Sequence, residues 1–137
     1  AAVFRTFDTS KPLVIISEGL INYFVLDLLR TLLQRLIKYT QDFQALYYLT
    51  DVYPMPLQAH FRYMAWQASW ILKTLSHSDF DFHFNTPGEV ATFFRSCGFG
   101  QVNLWQPSVF KKQEPAVSDL ETQSHQGDLV WVIEAQR

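Results

Sequence analysis

Cysteine, glycine, net charge and long apolar runs are all scarce in this chain. The single cysteine, Cys97, excludes an internal disulfide and fits a reducing compartment. No apolar run approaches the ~18 residues that cross a bilayer. Leu13 to Ile16 stops at Ser17-Glu18, and the later apolar stretches carry charges, so no membrane is expected. The opening AAVFRTFDTS lacks the basic-then-apolar layout of a signal peptide, and a cytoplasmic location is the expectation. A net charge of −2 supplies no electrostatic basis for binding nucleic acid. The five glycines (Gly19, Gly88, Gly98, Gly100, Gly127) include no glycine-rich turn after an early strand. A nucleotide-type cofactor crevice normally uses such a turn to bring backbone against ligand. His60, His77, His83 and His125 form no i, i+4 ligand pair, so no metal is expected, and no Gly-x-Ser-x-Gly elbow exists for a hydrolase.

What remains is a chain of 137 residues, 48% apolar and 16% aromatic, enough for one domain with its own core. It is organised around residues 11–24, KPLVIISEGLINYF. Leu13, Val14, Ile15 and Ile16 read as a strand buried on both faces. The pattern then turns helical, which puts Glu18 and Gly19 in a strand-to-helix turn. In open α/β sheets ligands bind at that turn, beyond the carboxyl end of a strand. Glu18 is therefore the first candidate functional residue.

Apolar residues at Phe24, Leu28, Leu29, Leu32, Leu33, Leu36 and Ile37 predict an amphipathic helix over about 23–39. A second strand, 45–49, ends in Thr50-Asp51-Val52-Tyr53-Pro54. Strand, helix, strand is a right-handed βαβ unit with parallel strands, so Glu18 and Asp51 share one edge of the sheet. Pro54-Met55-Pro56 breaks the chain, and 57–75 carries helical aromatic spacing (Phe61, Met64, Trp66, Trp70, Leu72), as a core-facing helix would. Residues 78–84, SDFDFHF, alternate as a short half-exposed strand or extended segment. Its Asp79, Asp81 and His83 share a face that could suit a metal, but solvated polar residues on an outer face explain the pattern without one. Asn85-Thr86-Pro87 with Glu89 starts a helix over 87–97, and Gly98 ends it. Strands at 101–106 and 129–135 follow, joined by a polar hairpin loop over 107–127 and therefore antiparallel. Cys97, at the helix end, reads as a buried structural thiol rather than a nucleophile.

Three motifs in this order, ISEGLINYF (16–24), YYLTDVYP (47–54) and CGF (97–99) followed by QVNLW, carry a family resemblance. Together they resemble the C-terminal half of the leucine carboxyl methyltransferase and tetracenomycin-type polyketide O-methyltransferase family, whose enzymes use S-adenosylmethionine. The resemblance implies part of a Rossmann-like methyltransferase sheet: two parallel strands with helices, then an antiparallel pair. In that sheet the last strand inserts antiparallel between its neighbours. It also implies a cap-like region over about 54–78, and a glycine-rich loop and acidic ribose-binding residue upstream of Ala1. The chain would then be one domain's C-terminal half, inactive and a poor cofactor binder alone.

The implied reaction is methyl transfer to a carboxylate or hydroxyl of a small molecule. Glu18 and Gly19 would contact the methionine portion of S-adenosylmethionine, since a carboxylate accepts charge-assisted bonds from an ammonium. Tyr23, Asp51, Tyr53, His60 and Arg62 would line the acceptor site, and no residue is assigned as catalytic. Three of them have a plainer account: Glu18 as a helix N-terminal carboxylate, Tyr23 as packing, Asp51 as a cap or turn former. The strand edge at Leu13 to Ile16 is expected to pair with the missing N-terminal half or a second chain. The rival readings are a non-enzymatic α/β interaction module or inactive remnant, and a small acid–base enzyme using Glu18 and Asp51 close together in a closed pocket.

Overall fold

Four short runs rich in β-branched and aromatic residues supply the strands. β1 (Leu13–Ser17) and β2 (Leu46–Val52) are parallel, in register from Leu13 opposite Leu46 to Ser17 opposite Thr50. β3 (Gln101–Trp105) pairs antiparallel with β4 (Trp131–Gln136), which in turn runs antiparallel to β2. The order across the sheet is β1-β2-β4-β3. This computed structural model describes residues 3–55, 80–106 and 130–137. The fold is mixed α/β.

Helix α1 (Leu26–Tyr39) connects β1 to β2, and α2 (Pro87–Cys97) precedes β3. Both bury an apolar stripe on one face of the sheet. Leu29 and Leu33 of α1, Val90 and Phe94 of α2, and Leu46, Tyr48, Val52 and Ile133 of the sheet form one cluster. Tyr48 packs against both Phe94 and Phe99, with centroids 6.3 and 6.2 Å away, and those two rings lie 5.9 Å apart. Helix α2 is punctuated as its sequence dictates. Thr86 Oγ1 accepts from the Glu89 N–H at 3.2 Å, and the Glu89 carboxylate accepts from the Asn85 N–H at 2.7 Å. Gly98 adopts φ +114 after the last turn, and Phe99 N–H bonds back to the Phe94 carbonyl.

Three expectations need correcting. β1 is not buried on both faces: Val14 is 54% and Ile16 68% exposed, because no described element covers that side of the sheet. Helix α1 starts at Leu26 rather than near Tyr23, since Ile21–Tyr23 form a 3-10 turn and Phe24 and Val25 are extended. Its apolar arc is also wider than its contact face, and Leu28 and Leu32 lie on an exposed flank. Of the two readings of residues 78–84, the strand does not hold for the described part, since Phe80 to Phe84 join no ladder among the described residues. They are held instead by bonds from the Met55 N–H to the Phe84 carbonyl (2.9 Å) and from the Asp81 N–H to the Asn22 carbonyl (2.8 Å). Phe84 is buried, and His83 is half-buried rather than solvated. The aromatic stretch 57–75, most of the cap-like region and the 107–127 loop lie outside the described residues. Among the described residues no helix is long and apolar enough to cross a membrane.

Candidate functional site at the carboxyl edge of β1 and β2

Parallel pairing brings the ends of β1 and β2 to the same edge, where three hydroxyls close the last rung. Ser17 Oγ lies 2.7 Å from the Tyr48 hydroxyl and donates to Thr50 Oγ1 at 2.9 Å. Tyr48 and Thr50 are buried, so each of these polar atoms has its partner inside the fold. Beyond Ser17 the chain turns sharply at Glu18-Gly19. Gly19 sits at φ +60, left-handed backbone that favours glycine, and a Cβ there would meet nothing within 4 Å.

That turn is tied to β2. The Gly19 N–H donates to Asp51 Oδ1 at 2.7 Å, across 32 residues of sequence. Glu18, the preceding residue, is exposed and makes no hydrogen bond with the described residues. The two predicted carboxylates therefore flank one turn with different tasks. One oxygen of Asp51 is committed to the turn, the role its plainer account gives it, while Glu18 keeps its full accepting capacity. The helix N-terminal account of Glu18 does not hold, because α1 begins at Leu26 and the intervening 3-10 turn has no acidic residue in it. The acid–base reading lacks the closed pocket it needs, since Glu18 is exposed.

Tyr23 and Tyr53 meet on a shared ring. Phe80 lies edge-on to Tyr23 at 5.2 Å and to Tyr53 at 6.0 Å between centroids. Both tyrosines remain more than a third exposed. Glu18, Gly19, Tyr23, Asp51 and Tyr53 thus gather along one edge, while His60 and Arg62 lie outside the described residues. Among the described residues no three His, Cys, Asp or Glu side chains cluster as metal ligands.

The residue that organises this edge is Asn22, which was not among the sequence candidates. It is 2% exposed. Its Nδ2 donates to the carbonyls of Tyr53 (2.9 Å) and Asp81 (2.8 Å), and its Oδ1 accepts from the Tyr53 N–H (2.9 Å). One amide thereby pins the segment after β2 and the segment entering α2 to the turn after β1. A buried amide without such partners would cost several kcal/mol, so the bonds are a condition of its burial. The available signal was a lone asparagine in the apolar run Leu20-Ile21-Asn22-Tyr23-Phe24.

Comparison with known families and with curated proteins finds no family model and no curated relative matching this chain.

Proposed function

We propose that this chain is the C-terminal part of an S-adenosylmethionine-dependent O-methyltransferase, acting in the cytoplasm on a carboxylate or hydroxyl of a small molecule. The observation that carries the reading is the strand order β1-β2-β4-β3, with β4 antiparallel between β2 and β3. That arrangement agrees with the last-strand insertion implied by the motifs 16–24, 47–54 and 97–99.

The edge residues suit the cofactor's methionine portion. Glu18 offers a carboxylate with no competing partner among the described residues, and Gly19 leaves open space beside the turn. S-adenosylmethionine would supply the methyl group. This chain's contribution is to hold a carboxylate where an ammonium can dock, with Tyr23 and Tyr53 toward the acceptor. The remaining wall of the crevice belongs to polypeptide other than this chain. β1 is an edge strand among the described strands, and its backbone edge is where that polypeptide would join.

Calorimetric titration of S-adenosylhomocysteine into this chain alone, and into this chain joined to an upstream segment bearing a glycine-rich turn, tests the reading. We expect weak or no binding to the first and saturable binding to the second. Tight binding to the chain alone, or none to the joined protein, overturns it. A second reading, a non-enzymatic interaction module, is favoured by the same exposed strand edge. It predicts that the edge captures a partner strand while no cofactor binds.

A further inference from the structure

We propose that the cleft between α1 and α2 is a separate binding site, for a small monocarboxylate with a flat apolar body. The cleft measures about 680 Å³ and is lined by Leu26 and Arg30 of α1, by Glu89, Thr92 and Ser96 of α2, and by His83, with Phe84 and Phe93 also on its wall. That volume is in the range of small-molecule sites, which combine an apolar lining with a few placed polar groups. None of the residues at the β1-β2 edge takes part, so this inference does not rest on the methyltransferase reading.

The polar groups define the ligand's charge. Arg30 is clamped in place: its guanidinium lies 4.9 Å from the centre of the Phe93 ring, and Nη1 donates to Ser96 Oγ at 2.6 Å. Yet among the described residues no carboxylate lies within ion-pair distance of it. The guanidinium is thus a pre-oriented fork with donors left over, and a planar carboxylate matches that fork. The nearest acid in the lining, Glu89, has its oxygen occupied by the Asn85 N–H and so serves the helix cap. Beside the cleft, His83 Nε2 is buried without a hydrogen-bond partner among the described residues, so its ring reports on any change in packing there. Thr92 adds an exposed hydroxyl.

The rest of the lining defines the ligand's body. Phe84, Phe93 and Leu26 offer ring faces and aliphatic surface, which a strongly hydrated anion such as phosphate cannot use. One cation with no acidic partner among the described residues answers one negative charge, and Glu89 in the lining disfavours a second. An arylcarboxylate meets all three conditions.

Benzoate titrated into the isotope-labelled chain and followed by NMR tests this, with benzamide as the neutral isostere and inorganic phosphate as the bare anion. Saturable shifts of the Arg30 side chain, the His83 ring and the Thr92 and Ser96 amides are expected for benzoate. Benzamide should bind at least about tenfold more weakly, the scale of a lost charge-assisted pair. Arg30→Gln should weaken benzoate by a similar factor, and Thr92→Trp, at an exposed helix position, should block the cleft while the remaining amide spectrum stays folded. No saturable shift with benzoate, equal binding of benzamide, stronger binding of phosphate at the same resonances, or unchanged binding in the Thr92→Trp chain would each overturn the proposal.

Discussion

Gly19 and Asp51 are 32 residues apart in sequence and 2.7 Å apart in space, joined by a single bond from backbone amide to carboxylate. The bond fixes the turn at the sheet's carboxyl edge where Gly19 takes up left-handed backbone, and it sets where the Glu18 side chain starts. Asp51→Ala should therefore lower unfolding free energy by about 1–3 kcal/mol, by leaving the Gly19 amide without its acceptor. Asp51→Asn, which keeps a carbonyl oxygen in reach, should cost less. Urea denaturation of the two variants checks the order.

Glu18 should behave in the opposite manner. It is exposed and unbonded among the described residues, so Glu18→Gln should change stability by no more than about 0.5 kcal/mol. On the proposed methyltransferase reading, in this chain joined to an upstream segment bearing a glycine-rich turn, the same change should weaken S-adenosylhomocysteine binding about tenfold or more. Calorimetry on the two proteins separates these effects.

Asn22 should be the most sensitive polar position. Removing its side chain in Asn22→Ala strands the carbonyls of Tyr53 and Asp81 and the N–H of Tyr53. A loss of about 2–4 kcal/mol is expected from three partners left unsatisfied near the core. Asn22→Asp keeps the acceptor but loses both donors, and places a carboxylate against two carbonyls. It should be no better. Equilibrium unfolding should show a lower midpoint with an unchanged slope.

The two left-handed glycines should respond unequally. Gly19→Ala should cost about 1 kcal/mol, from backbone conformation alone, because its Cβ meets open space. Gly98→Ala has φ +114 and would put its Cβ 3.1 Å from Ile37 Cδ1, so it must also displace packing between α1 and α2. Thermal melts should rank Gly98→Ala as the less stable.

Cys97 supplies a pH test. Burial pushes its thiol above the ordinary value, partly opposed by the Arg30 charge. The folded chain therefore holds this proton at a pH where the unfolded chain has begun to lose it. This contribution to stability is intact below the ordinary thiol value and is lost as pH rises beyond it. A disulfide reagent should react slowly with the folded chain. Arg30→Gln should raise the thiol further and slow that reaction again at alkaline pH.

The sequence reveals most where structure is determined locally. Asn85, Thr86, Pro87, Glu89 and Gly98 each act within a few residues, and helix α2 begins and ends where they place it. The parallel pair β1-β2 and the antiparallel pair β3-β4 follow from what lies between the strands. Long-range pairing is less legible. Asn22 finds partners 31 and 59 residues away, and no spacing rule reports that. The helical pattern before Leu26 is interrupted by those same bonds, which hold Ile21–Tyr23 in a tighter turn. The β-branched run of β1 reads as doubly buried because composition records apolarity and not how many neighbours a sheet face has. At the site, the shared edge of Glu18 and Asp51 is legible from topology. Their division of labour depends on one hydrogen bond and is not.

The position of β4 has a consequence for how the chain matures. β1 and β2 can zip together once residue 52 has left the ribosome, yet β3 has no described neighbour except β4. β4, synthesised after the other described strands, is the one that bridges the two halves of the sheet, so a nascent chain shorter than Trp131 carries a parallel ribbon and a detached β3. Premature stop codons even a few residues ahead of that point should yield a product that chaperones retain and proteases clear.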